Sequence, residues 1–166
     1  MQTTFANTYD IRTMLRFEQE MCQRFFPKIL YRKLTGYTDM DDVHLEVADE
    51  DKIFAADIQL YAYVANEGEK HPLTKYGLEK VRETMLVVST LHLVGAGLAE
   101  IIEIPNTADI EIKLLTNPGD RFLYSRNVLY EILEWRRGPS FANTDIALYY
   151  EAPATIWRPA STEWND

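Results

Sequence analysis

The chain has 166 residues and a formal net charge of −9, length enough for one domain with its own core. The lone cysteine, Cys22, excludes an internal disulfide and suits a reducing compartment, and the acidic balance is not the basic footprint of a free-standing nucleic-acid binder. No apolar run approaches the roughly 18 residues of a membrane-spanning helix, and the start lacks the basic and apolar regions of a signal peptide, so a soluble protein with no membrane partner is expected.

The first element is a helix over about 8–27. Ile11, Met14, Leu15, Met21, Cys22 and Phe25 recur near a period of 3.6, Asn7 or Thr8 can cap the start, and Pro27 ends the run. The pairs Arg16/Glu20 and Glu20/Arg24 have i,i+4 spacing. Phe17 and Phe26 fall off the main stripe, which suits packing against a second surface, such as another copy of the chain.

Charge then separates along the sequence. Residues 12–33 carry Arg12, Arg16, Arg24, Lys28, Arg32 and Lys33, whereas Asp39, Asp41, Asp42, Glu46, Asp49, Glu50 and Asp51 follow with no Lys or Arg among them. Two solvated surfaces account for this pattern, and so does contact between the basic helix of one subunit and the acidic loops of the next. Arg12, Arg16, Arg24, Lys28, Asp39, Asp41 and Asp42 are therefore candidate interface residues.

Val43, Leu45 and Val47 alternate with polar residues, as do Phe54, Ala56, Ile58, Leu60, Ala62 and Val64, which predicts a β-hairpin joined across 48–52. Asn66–Lys75 reads as a polar loop and Tyr76–Arg82 as a short helical turn. Met85–Val94 is an apolar run that predicts a buried strand, with a helix as the rival, and Gly95 and Gly97 break it. Ile110, Ile112 and Leu114 alternate as another strand. Asn117-Pro118-Gly119-Asp120 places Pro and Gly at the centre of a type II turn. Phe122 and Tyr124 mark a short strand, a turn follows at 125–127, and Val128–Trp135 is the next strand. Arg136–Asp145 reads as a loop. Ile146–Tyr150 and Thr155–Trp157 complete the sheet on either side of Pro153, and the polar tail beyond Pro159 reads as a loose end. The expected fold is mainly β with an N-terminal α-helix: one domain over 1–166, with a β-rich body over about 43–158 forming an antiparallel sheet, small barrel or sandwich.

Chemistry-bearing residues are scattered. His44, His71 and His92 have no second ligand at i+2 to i+4, so no zinc pattern forms. Cys22 on the helix stripe reads as a buried, inert thiol. The cluster at Asp39, Asp41 and Asp42 lacks the order of a calcium loop, and Gly95-Ala96-Gly97 lacks the third glycine of a dinucleotide fingerprint. No catalytic residue, metal site or cofactor is expected.

The run PGDRFLYSRNVLYEILEW, followed by FANTDIALYYEAPATIWRP, resembles the end of the neck, or head-completion, proteins of tailed bacteriophages. The positions that carry the resemblance are Gly119, Asp120, Phe122, Tyr130, Glu131, Ile132, Asn143 and Thr144. The upstream pieces DIQLYAYVA, YGLEKVRE and LVVSTLHLVGAGL share its character, so it covers about two-thirds of the chain. The resemblance implies a structural virion subunit and no catalytic residue. Such a subunit forms a ring of its own copies between the portal or adaptor and the tail proteins, and encircles DNA without sequence-specific binding. An acidic ring would let phosphates slide past unheld. The competing readings are a monomeric β-barrel that holds a ligand or peptide, and an enzyme with a scattered site.

Overall fold

The structure, a computed structural model, describes residues 8–37, 52–70, 73–74, 77–78, 81–105, 110–124, 128–140 and 145–157. The predicted strand at Val43–Val47, the turn at 125–127, Asn143, Thr144 and the tail from 158 lie outside the described residues.

Helix α1 spans Thr8–Phe25 and stops just before Pro27, whose ring disfavours helical backbone at Phe26. The strands are, in order, β1 (Lys28–Arg32), β2 (Leu34–Tyr37), β3 (Lys52–Phe54), β4 (Ile58–Tyr61), β5 (Tyr63–Lys70), β6 (Leu73–Thr74), β7 (Gly77–Leu78) and β8 (Val81–Ser89). Helix α2 (Thr90–Gly95) follows, then β9 (Ala99–Glu103), β10 (Ile110–Leu114), β11 (Arg121–Tyr124), β12 (Val128–Ile132), β13 (Arg136–Arg137) and β14 (Tyr149–Ile156). The chain is thus mainly β with one N-terminal helix, and every described strand pair is antiparallel.

The main sheet has the order β4-β1-β11-β12-β14-β8-β5, with β13 also paired to β14. Its first and last strands are consecutive in the chain, separated by Ala62 alone. Six inter-strand steps of about 4.8 Å would hold the ends of a flat sheet about 29 Å apart. Two Cα–Cα steps across Ala62 allow only about 7 Å. The sheet must therefore close on itself. Tyr61 pairs with Lys28 of β1 and Tyr63 with Val87 of β8, so β4 and β5 act as two halves of one bent strand that completes a small barrel.

Register sets what fills the barrel. Ile29 faces Leu60; Tyr31, Phe122 and Tyr130 stand opposite one another across three strands; Ile132 faces Ala154, Ala152 faces Leu86, and Tyr150 faces Val88. All are buried, and the Phe122 and Tyr130 rings stack with centroids 5.0 Å apart. Ile132 of β12 and Leu86 of β8 meet alanines of β14, which leaves room in the interior for the three large rings of β1, β11 and β12.

Several expectations are corrected. Strand β1 was hidden in a segment notable for its charges, yet KILYR alternates inward Ile29 and Tyr31 with outward Lys28 and Arg32, so the β-rich body begins at 28, ahead of about 43. Phe54–Val64 is not one hairpin arm: β3 pairs with β2, β4 with β1, and β5 with β8. Within the expected polar loop at Asn66–Lys75 and helical turn at Tyr76–Arg82, the described residues 66–70, 73–74, 77–78 and 81–82 are strand, because β8 carries β5 as far as Lys70 and β6 pairs with β7. The strand expected over Val128–Trp135 ends at Ile132, and Arg136–Arg137 is a strand inside the expected loop.

The run Met85–Val94 is both strand and helix. Ser89 divides it, its Oγ accepting from the His92 N–H at 3.3 Å as the cap of α2. At the far end Gly97, with φ of 73°, donates to the Val94 carbonyl while Leu98 donates to that of Leu93, a closing pattern that needs left-handed backbone. Strand β14 runs through Pro153. The Pro153 carbonyl accepts from Leu133 N–H, and a residue's N–H points to the same side, so the missing donor falls beyond the last β12 pair, Ile132–Ala154.

Ala62 is fully buried, and its N–H donates to the Pro27 carbonyl at 3.1 Å. A larger side chain at the closing bend should overpack the barrel. Ala62→Leu is expected to lower unfolding free energy by about 1–3 kcal/mol in chemical denaturation, and an unchanged midpoint would contradict closure at this residue.

Candidate interface surfaces and the Gly-Asp turn

The turn at Asn117–Asp120 anchors the interior. The Asp120 N–H donates to the Asn117 carbonyl at 3.2 Å and Gly119 has φ of 88°, the conformation that a type II turn requires at its third residue. A Cβ on Gly119 would lie 3.3 Å from Leu34 Cδ2. Fully buried Asp120 accepts from Tyr31 Oη at 2.5 Å, from Leu34 N–H at 2.7 Å and from Asn117 N–H at 2.9 Å. One carboxylate thus ties its own turn to the β1–β2 corner and to a ring inside the barrel. Burial pushes the Asp120 carboxyl above its ordinary range, against the downward pull of those donors, and burial with the neighbouring carboxylate pushes the Tyr31 phenol up.

The next residue does the same on the outside. Arg121 is almost wholly buried, with its guanidinium 4.1 Å from the Trp157 ring centroid and 4.7 Å from that of Phe54. Its Nε and Nη2 donate to Glu131 Oε2 at 3.1 and 3.0 Å, and Lys52 Nζ approaches the same oxygen at 3.4 Å. The β2–β3 pair is therefore fastened to the barrel wall through Phe54 and Lys52.

These contacts explain the positions singled out by resemblance. Gly119, Asp120, Phe122, Tyr130 and Ile132 shape the turn and the interior, and Glu131 holds Arg121. Asn143 and Thr144 lie outside the described residues.

The basic residues are not gathered on one face. Arg12 donates to Glu103 of β9 at 3.1 Å, within the same chain. Arg16 and Arg24 are exposed on α1, and among the described residues neither closes an ion pair with Glu20. Lys28 lies over the Tyr61 ring, 5.4 Å from its centroid. Asp39, Asp41 and Asp42 lie outside the described residues. Composition missed a feature that periodicity half revealed: Ile11, Leu15 and Cys22 are buried, but Met14, Met21 and Phe25, assigned with them to the core stripe, join Phe17 on the outer face. Phe26 packs against Tyr63, with centroids 5.5 Å apart.

Cys22 is buried, and burial, followed by the charge of Glu18, raises its thiol to about 11, far from a reactive thiolate. His44 and His71 lie outside the described residues; among those described, no three His, Cys, Asp or Glu cluster as metal ligands. His92 stacks on the face of Tyr61 at 5.4 Å, near Lys28, and burial holds its imidazole below the ordinary value.

No protein-family model matches the chain, and no curated protein matches it.

Two predictions come from these sites. Asp120→Ala would leave two buried donors, Tyr31 Oη and the Leu34 N–H, without their acceptor, at about 1–3 kcal/mol each, so a loss of about 2 kcal/mol or more is expected in urea unfolding. A loss below 1 kcal/mol would contradict the anchoring role. The second concerns acid. Burial disfavours the charged form of His92 in the fold, so the unfolded chain takes up the proton first. Stability is then full above about 6.5 and falls as pH drops below it. His92→Phe, which keeps a ring on Tyr61, should flatten urea midpoints measured between pH 7 and 5; an equal slope in both proteins would contradict the assignment.

Proposed function

We propose that the chain is a structural subunit of a tailed-bacteriophage neck, one of a ring of copies that joins the portal or adaptor to the tail around the DNA channel. The observation that carries this reading is the coincidence of motif and scaffold: Gly119, Asp120, Phe122, Tyr130 and Ile132 bear the resemblance and are also the residues that fix the turn and fill the barrel. A motif of that kind transmits a fold and a way of presenting surfaces. The barrel interior is occupied by Tyr31, Phe122, Tyr130 and Leu86, which favours a role for the outside of the molecule over a ligand held within. The net charge of −9 suits a channel that DNA passes without being gripped. The chain works in the virion, needs no cofactor and performs no chemical step.

The test is genetic and structural. Deleting the gene from its phage should leave filled heads and complete tails unjoined in electron micrographs, and supplying the chain should restore joining. Normal particles from the deletion would overturn the reading. Reversing Arg16 and Arg24 to Glu should hinder assembly while leaving thermal unfolding unchanged. Each exposed pair contributes only about 0.2–1 kcal/mol, but a ring repeats the loss at every interface and high salt should mimic it. Particles that assemble equally at low and high salt with both reversals would remove these two arginines from the account.

A further inference from the structure

Helix α1 has a broad apolar arc, and the body of the molecule covers half of it. Ile11, Leu15, Glu18 and Cys22 recur at four, three and four residues and form the inner half. Met14, Phe17, Met21 and Phe25, about a quarter turn away, form an outer stripe that is 38%, 57%, 37% and 69% exposed. The larger side chains thus face water and the poorer half makes the seam. Within that seam Ile11 and Leu15 join the buried apolar core, and Cys22 lies instead against the Ser89 hydroxyl that caps α2. The half-buried Glu18 carboxylate stands beside the thiol, and no ion pair to it closes among the described residues. Burial first, then the Glu18 charge, pushes the Cys22 thiol up; burial, then Glu151 and Glu18, pushes the Tyr149 phenol up.

The barrel does not need the helix to close. No strand pairing passes through α1, and the sheet ends meet at Ala62. Only Phe26 and Pro27 separate α1 from β1. Pro27 already belongs to the wall, since its carbonyl accepts from the Ala62 N–H and the next residue, Lys28, pairs with Tyr61. At the other end of the helix the Arg12–Glu103 ion pair has both side chains more than half exposed, where water and salt screen it. Elements with few buried apolar contacts and exposed polar ties are those that open separately from the rest of a fold.

We propose that α1 is a strap that leaves the body as one piece, pivoting at Phe26, while the barrel stays folded. The strap switches the molecule between a form that shows half of the apolar arc and a form that shows all of it. Release also uncovers Cys22, the only thiol in the chain, which therefore reports it. The proposal does not rest on the neck reading.

Thiol labelling of the full chain under native conditions tests it. The rate at which an aromatic disulfide reagent modifies Cys22, divided by the rate for the urea-unfolded chain, gives the open fraction. That fraction should exceed the unfolded fraction obtained from urea unfolding by at least about a hundredfold, with little dependence on urea below the transition. Two variants separate release from its rivals. Ile132→Ala weakens the barrel interior, so its urea midpoint should fall while the labelling rate stays within about twofold of wild type. Leu15→Ala weakens the seam, so labelling should speed up about thirtyfold or more. Should either variant fail to fold, Ile132→Val and Leu15→Val replace them, with the same directions and smaller changes. An open fraction equal to the unfolded fraction overturns the proposal, as does labelling that rises with the Ile132 variant in step with its lost stability. Labelling that the Leu15 variant leaves unchanged also overturns it, because Cys22 would then be reached by fraying of the last turn without release of the helix.

Discussion

Closing the sheet through one residue is the constraint on which the rest of the molecule depends. Tyr61 and Tyr63 pair with opposite ends of the strand order, and Ala62 between them is buried and bonded to Pro27. Once the sheet is closed, the main ladder has no long free edge to offer another chain, and recognition has to use side chains or the elements outside the barrel. Helix α1 and the β9–β10 hairpin are such elements, and both carry exposed apolar residues.

Closure also explains why two adjacent residues, the last of the turn and the first of β11, matter so much. Asp120 points inward and binds Tyr31 and the Leu34 amide; Arg121 points outward and is held between Phe54 and Trp157. Strands alternate their side chains between faces, so a single step along β11 fixes both the inside and the outside of the wall. Gly119 makes this possible by taking a backbone conformation that another residue would adopt only with strain.

The sequence carried part of this architecture openly. The 3.6-residue period of α1, the type II turn at Pro118-Gly119 and the alternation of Ile110, Ile112 and Leu114 were legible because each is a local property. Strand β1 was not, since its period of two is short and lies among lysines and arginines. The strands at Asn66–Lys70 and Gly77–Leu78 were not, since polar segments become strands there only through their pairing partners. The outer stripe of α1 was blurred for a geometric reason: Met14, Met21 and Phe25 lie within about a quarter turn of the buried residues, and only the packed barrel shows where the covered face ends. The basic residues suggested a surface more uniform than the one observed, because Arg12 turns to Glu103 while Arg24 lies beside the stripe.

Nuclear Overhauser contacts in solution bear most directly on closure. The account predicts cross-strand contacts joining Tyr61 to Lys28 and, in the same folded molecule, Tyr63 to Val87. Contacts from only one of these tyrosines, or both tyrosines pairing with β1, would mean an open sheet and would contradict the closed barrel.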